Sequence, residues 1–466
     1  MEVLLTHAYY LQRDLHEQAI MKPYPPLGLL YISAWLEKFN IVHEVYDSTF
    51  HQPNDQYQFI LQHKPKIIGI YTNLVSKIEV IRLMKFIRQD DTLANALIVL
   101  GGPDVSYNVE NYLHCGADVL VIGEGEQTFV EVVLAWQNNP QVNFTGIAGI
   151  AFRNPEGLIE KTPARSKLKD LDQLPWPNRK KIDLSTYLDA WKKHHGKHSI
   201  TISTQRGCPY TCRWCSVAVY GQSYRRRSPV QVVQEMLHLK EIYQPDQVWF
   251  VDDVFTISHR WLEEFNHEVH QHAAVIPFEC ITRADRLNEQ VLRLLKTSGC
   301  FRVWIGAESG SQTILDAMDR RVQATYVQDM IRTAKNIGLE TGTFIMLGYP
   351  GETEQDILMT RDHLLLAQPD LFTITIAYPI KGTPLYDSTE RTHQKNLERT
   401  TTTDRDIDFK RTYARPYYTF ALIWISHTMA LSKLNSKGYR FSFKYLTHLG
   451  KWVTARLLMH LIKLTS

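Results

Sequence analysis

The 466-residue chain has no apolar run that approaches the roughly 18–20 residues a membrane-spanning helix needs. Its first residues, Met1-Glu2-Val3-Leu4-Leu5, have neither the basic start nor the small-residue cleavage site of a secretory signal. They read as a first strand, and the expected compartment is the cytoplasm. Six cysteines in so long a chain exclude a disulfide framework. A net charge of +3 is too small to indicate nucleic acid, and no RNA- or DNA-binding pattern is present. There is no internal repeat, no low-complexity tract, and no compelling Ser/His/Asp or paired-carboxylate arrangement. Acidic residues are missing altogether from residue 409 onward, where ten Lys or Arg occur.

What is present has ordinary globular composition, 44% hydrophobic and 22% charged, at a length that implies two or three domains. Residues 1–150 alternate short apolar strands (Val3–Thr6, Val42–Tyr46, Lys66–Tyr71, Ala96–Leu100, Asp118–Ile122) with helical patterns (Leu27–Phe39, Glu79–Arg88, Val109–His114, Glu126–Gln137). That rhythm predicts a doubly wound parallel sheet. Such sheets bind ligands beyond the carboxyl ends of their strands. Two of those ends are glycine-rich, at Gly101-Gly102-Pro103 and Gly123-Glu124-Gly125-Glu126. Residues 151–195, broken by Pro155, Pro163, Pro175 and Pro177, read as a linker. A second strand–helix series fills 196–395, with strands expected at Ser199–Thr204, Gln247–Val251, Pro277–Thr282, Phe301–Ile305, Thr341–Leu347 and Leu371–Ala377. Six such units suggest an open (β/α)6 barrel whose strand ends face one site. Residues 396–466 form a basic, aromatic C-terminal region, read as helical. Its aromatics, Phe441 among them, suit either a cap packed on the barrel or peripheral contact with an anionic membrane.

The segment Arg206-Gly207-Cys208-Pro209-Tyr210-Thr211-Cys212-Arg213-Trp214-Cys215 carries the chemistry. Three cysteines fall in a loop opened by glycine and proline just after a strand, with no fourth cysteine nearby. Iron–sulfur clusters usually take four thiolates. Three leave one iron open to chelate the amino and carboxylate groups of a small molecule. Structural zinc is the rival, but it normally takes four protein ligands. The nearest histidines are His195, His198 and His238.

This segment resembles the signature of the radical S-adenosylmethionine superfamily, Cys-x3-Cys-x2-Cys with an aromatic, here Trp214, before the last cysteine. The resemblance implies a [4Fe–4S] cluster on Cys208, Cys212 and Cys215. It also implies S-adenosylmethionine contacts at successive strand ends: Asp252 and Asp253, Arg283, Glu308 and Ser309, and Gly348 and Gly351. The first 150 residues resemble the cobalamin-binding domain of the subgroup that includes anaerobic magnesium-protoporphyrin ester cyclases and several methylases. The matching stretches are Pro25-Pro26-Leu27-Gly28-Leu29-Leu30, Gly101-Gly102-Pro103-Asp104 and Gly123-Glu124-Gly125-Glu126. The resemblance implies cobalamin over Gly101, Gly102, Gly123 and Glu124. The Asp-x-His-x-x-Gly motif that gives cobalt a histidine in classical cobalamin proteins is absent.

The function implied is reductive cleavage of S-adenosylmethionine and methylation of an unactivated carbon, with radical oxidative cyclisation or hydroxylation as the alternative. A non-catalytic iron–sulfur electron carrier is the reading from another class. The partners implied are a small-molecule substrate, lipid or tetrapyrrole included, and a low-potential donor such as ferredoxin or flavodoxin, without nucleic acid.

Overall fold

The computed structural model describes residues 1–389, 405, 407–440 and 442–465; Phe441 and most of the stretch leading into the C-terminal region lie outside them. The described chain divides into two compact units, one holding 1–209 and 216–247, the other 210–215, 248–389 and 407–465.

In the first unit, β1 (Val3–His7), β2 (His43–Tyr46), β3 (Ile67–Tyr71), β4 (Leu97–Gly101) and β5 (Val119–Val121) form a parallel sheet in the order β2-β1-β3-β4-β5. Their apolar runs are continuous rather than alternating, because helices cover both faces. One face packs Ile68, Ile70, Ile98 and Leu100 under the helix Lys77–Gln89. The other packs Leu5, Val99 and Val121 under Leu27–Lys38 and Glu126–Asn138. The unpredicted helix Pro53–His63 is opened by a capping box in which Gln52 and Asp55 bond each other's backbone.

The stretch read as a linker is folded. β6 (Ile150–Arg153) and β7 (Ile159–Lys161) extend the sheet antiparallel from β5. The helix Leu184–His195 starts where Asp183 caps the Ser185 N–H and stops at Gly196, whose φ of 77° is left-handed. It buries Leu184, Tyr187, Leu188 and Trp191. The prolines that argued for a linker lie outside the regular elements. β8 (Ser199–Ile202) and the short antiparallel pair β9 (Gln205–Arg206) and β10 (Arg225–Arg226) also belong to the first unit.

In the second unit, β11 (Gln247–Phe250), β12 (Phe278–Thr282), β13 (Cys300–Glu308), β14 (Glu340–Leu347) and β15 (Leu371–Ile376) are parallel and ordered as in sequence. With β8, all six strands expected between 199 and 377 are present. Helices such as His259–Gln271, Ala324–Asn336 and Glu354–Ala367 connect them. Consecutive order in a parallel sheet gathers the loops at the carboxyl ends along one edge. The chain closes with a helix pair, Arg415–Ser436 and Phe443–Thr465. Tyr417, Tyr418 and Trp424 are buried there, as a cap requires, while Tyr439 and Phe443 are exposed.

Candidate active site

The cysteine loop follows β9. Gly207 has φ 84°, and a Cβ there would collide with the Ser223 carbonyl, so only glycine opens the loop in this form. Cys208 belongs to the first unit, and Cys212 and Cys215 to the second. Cys208 and Cys212 are half-buried, Cys215 is exposed, and none is in a disulfide. The Cys212–Cys215 turn is closed by the Cys215 N–H donating to the Cys212 carbonyl at 3.1 Å. It is strapped in place on both sides, since the Arg213 N–H donates to Met318 and its carbonyl accepts from Leu385. The Thr211 hydroxyl donates to Asp319. Trp214 packs on Ile314, Met318, Tyr349 and Leu385.

Two guanidinium groups converge on Cys212. Arg283 reaches its Sγ with Nη1 at 3.4 Å, and Arg320 with Nη1 at 3.8 Å. Both arginines are buried and mutually fixed, because Arg283 Nη2 donates to the Arg320 carbonyl at 2.6 Å. Arg283 also lies over the Tyr210 ring, 3.8 Å from its centroid, and Asp285 takes its Nε at 2.8 Å. Two cations thus face one sulfur. Among the described residues no three His, Cys, Asp or Glu side chains stand in the geometry of a single-ion site. Cys212 and Cys215 thus present two sulfurs on one tight turn, with two guanidinium groups beside Cys212 to balance negative charge.

Glu308 ends β13 at a bulge, where pairing with β14 shifts between Gly306 and Glu308. Its φ of 65° is left-handed, a strained state for a residue with a side chain. Burial pushes its carboxyl up, against the opposing pull of Arg320, whose Nη2 lies 3.8 Å away, and of Arg283. Arg320 Nη2 donates to the Gly306 carbonyl at 2.9 Å. Asp252, just past β11, is buried and Asp253 beside it exposed. Ser309 points into the protein, with its hydroxyl 3.2 Å from Thr360 Oγ1 and accepting the Ser311 N–H. It braces the turn. Gly348 and Gly351 have φ of 78° and 83°. The Gly348 N–H donates at 2.5 Å to Glu352, a buried acid raised by burial to about 8.

In the first unit, the carboxyl ends of β4 and β5 run into glycines. Gly102 has φ 116°, and a Cβ would collide with the Thr72 carbonyl, while Gly101 and Gly123 leave the neighbouring strand ends without side chains. Ligands of parallel sheets bind beyond such strand ends. Glu124 is committed elsewhere, to Arg225 and to Arg206 at 3.4 Å. Glu126 is buried, which alone would raise it, but Arg206 outweighs burial and holds it ionised. The arginine that precedes Gly207-Cys208 is thus anchored to the Gly-Glu-Gly-Glu turn. Arg320, Arg206 and Glu352 carry no local pattern that singles them out in the sequence.

Residues 202–364 match the Radical SAM superfamily, and residues 20–133 match the B12 binding domain. An uncharacterized methyltransferase of Pyrococcus horikoshii is 29% identical over 371 residues, 78% of this chain and 78% of the relative. The anaerobic magnesium-protoporphyrin IX monomethyl ester cyclase of a Synechocystis strain is 25% identical over 86% of this chain and 80% of its own. Among solved structures, the radical S-adenosylmethionine methyltransferase TsrM of Kitasatospora setae, with cobalamin and a [4Fe–4S] cluster bound, superposes with TM-score 0.68. It is 18% identical and covers 84% of this chain and 76% of that one. The cobalamin-dependent radical enzyme OxsB superposes with TM-score 0.73 at 14% identity, over 98% of this chain and 76% of that one. These superpositions show a common fold.

Proposed function

The protein is a radical SAM enzyme that carries a B12-binding domain, and from that premise we propose that it methylates an unactivated carbon of an apolar small molecule. Cys208, Cys212 and Cys215 would hold a [4Fe–4S] cluster, which with S-adenosylmethionine supplies one-electron cleavage chemistry and needs a low-potential donor such as ferredoxin or flavodoxin. Gly101, Gly102 and Gly123 would line cobalamin, which supplies the methyl carrier.

The chain's own residues do the rest. Arg283 and Arg320, both against the Cys212 sulfur, would balance the negative charge of a group bound there. Asp252, a buried acid at a strand end, suits an ammonium group. Glu308 is under-compensated by its arginines, so hydroxyl donors of a ribose would relieve it. Gly351 has open space where a side chain would stand and would leave backbone to a flat base, while Gly348 is closed in by Arg411 and Tyr418 and shapes the turn. The apolar patch of Trp214, Tyr349 and Met318 backs one side of the cysteine loop. Glu124 and Glu126 have a different part: with Arg206 they set where the cysteine loop begins.

The observation that carries this reading is a three-cysteine loop with two arginines on one sulfur, in a chain that also holds a B12-binding domain. The test is anaerobic reconstitution with iron, sulfide and hydroxocobalamin, then reduction with S-adenosylmethionine and a panel of apolar substrates. Methylation requires a second S-adenosylmethionine to recharge the carrier, so 5′-deoxyadenosine and S-adenosylhomocysteine should both accumulate. Deoxyadenosine alone would favour oxidative cyclisation or hydroxylation, a reading kept alive by the 25% identity to the cyclase over most of the chain. Neither product would leave an iron–sulfur electron carrier.

A further inference from the structure

The C-terminal helix Phe443–Thr465 has two faces of different character. One packs on the helix Arg415–Ser436: Trp452 meets Trp424, His448 lies 2.8 Å from His427, and Ala455 and Met459 are buried. The other face is apolar and exposed. Phe443, Leu446, Val453, Leu457, Leu461 and Leu464 recur at helical spacing, with Gly450 filling the one gap, and Phe443 and Leu464 are 88% and 71% accessible. The stripe runs about 32 Å along the helix at 1.5 Å per residue. Single exposed leucines are normal, but a continuous row of this length is not.

The charge around the stripe is of one sign. Lys433, Lys437, Lys444 and Lys451 are exposed, and residues 409–466 contain no carboxylate side chain. Glu354, which reaches over from another helix, is taken up by Arg456 and Lys463 at 2.5 Å each. A second copy of the chain meeting this face would bring the same uncompensated lysines against themselves. A bilayer with anionic headgroups would accept the apolar row and neutralise the lysines together. No helix among the described residues is long and apolar enough to cross a membrane, so the contact is one of lying on the surface.

We propose that the exposed face of the helix Phe443–Thr465 docks the protein on an anionic phospholipid bilayer, with Phe443, Leu446, Val453, Leu457, Leu461 and Leu464 in the acyl boundary and the lysines at the headgroups. The inference goes beyond the methylation reading and stands without it.

The test is co-sedimentation of the full chain with vesicles of phosphatidylcholine, with and without phosphatidylglycerol. Binding should require phosphatidylglycerol and weaken with salt. The triple variant Lys437→Gln, Lys444→Gln, Lys451→Gln should lose on the order of a hundredfold in affinity, at about fivefold per cation near the surface. The variant Leu457→Ser, Leu461→Ser, Leu464→Ser should lose binding at all salt concentrations. Both sets alter exposed side chains, so unchanged thermal unfolding would certify that each variant is folded. Failure to bind anionic vesicles at low salt, or equal binding by the wild type and both folded variants, overturns the proposal. So does a dimer in solution that the serine variant converts to monomer.

Discussion

The two units treat buried charge in opposite ways. In the first, buried ions sit in closed sets. Glu235 lies between Arg179 at 2.8 Å and Arg227, and these cations outweigh its burial to keep it ionised. Arg206 is closed by Glu126 and Glu124. Burial opposes ionisation of Asp47, yet His7 at 2.9 Å and the Tyr187 hydroxyl at 2.6 Å hold it down at about 2. In the second unit the sets are left open at the carboxyl ends of the strands. Glu308 and Glu352 are both pushed up by burial. Arg320 spends one nitrogen on the Cys212 sulfur and stands 3.8 Å from Glu308 with another. A closed set is scaffold, since nothing remains for a ligand to satisfy. An open set carries a desolvation cost that a ligand can relieve.

The comparison breaks most visibly if scaffold and site respond alike to mutation. Cys212→Ala should abolish 5′-deoxyadenosine formation to background while thermal unfolding of the apo protein is unchanged. Cys115→Ala, in the first unit, should leave turnover intact. Comparable turnover in both variants would remove the site from the cysteine loop. Next in size is Glu235→Gln. It strands two buried guanidinium groups, and removing one member of a buried ion set costs roughly 3–5 kcal/mol. Urea unfolding should show that loss, and a loss under about 1 kcal/mol would mean that water already satisfies the arginines.

Glu352 sharpens the comparison through pH. Its carboxyl rises from 4.5 in the unfolded chain to about 8 in the fold. The folded state therefore binds the extra proton between those values. The stabilising contribution is complete below about pH 4.5 and is lost as pH rises through 8. The expected loss across that window is on the order of 5 kcal/mol. Glu352→Gln imitates the neutral acid and still accepts from Gly348, so its unfolding free energy should be flatter from pH 5 to 8.5 and higher than wild type at the upper end. Parallel curves for the two proteins would show that Glu352 is not the group responsible.

Much of this arrangement was legible in the sequence, and the exceptions share a cause. Parallel strands buried on both faces are apolar throughout, so Ile67–Tyr71 and Leu97–Gly101 stand out within one residue of their ends. The cysteine loop is local, and spacing alone carries it. Pro53–His63 was passed over because its exposed side is polar and it buries only Pro53, Gln56 and Ile60. The linker reading of 151–195 followed its prolines, although Tyr187 and Trp191 are held by Asp47 and Pro23, far away in sequence. The same distance hid the arginines. Arg206 finds Glu126 across 80 positions, and Arg320 finds Cys212 across 108. Such pairs leave no periodicity, and only the fold brings them together. Ser309 and Glu124 show the converse: the sequence offers them as ligands, and the fold gives Ser309 to its own turn and Glu124 to Arg206 and Arg225.

Arg320 yields the smallest effect and the most specific one. Arg320→Lys keeps the charge but gives up the planar fork that joins Gly306, Glu308 and Cys212. A compact ammonium cannot reach all three. If the open set serves the cysteine loop, the rate of deoxyadenosine formation should fall about tenfold, the low end of the cost of disturbing a group that supports a metal ligand. The reconstituted cluster's EPR signal and reduction midpoint should shift with it. Glu308, with the positive charge now farther away, should rise further, so activity should lose its plateau at a higher pH than in wild type. If Arg320 only fastened β13, the melting temperature would drop and these three readouts would stay where they were. A fall in stability without a change in midpoint or pH profile would therefore move Arg320 from the open set to the closed one, and the contrast between the units would shrink to Glu308 and Glu352.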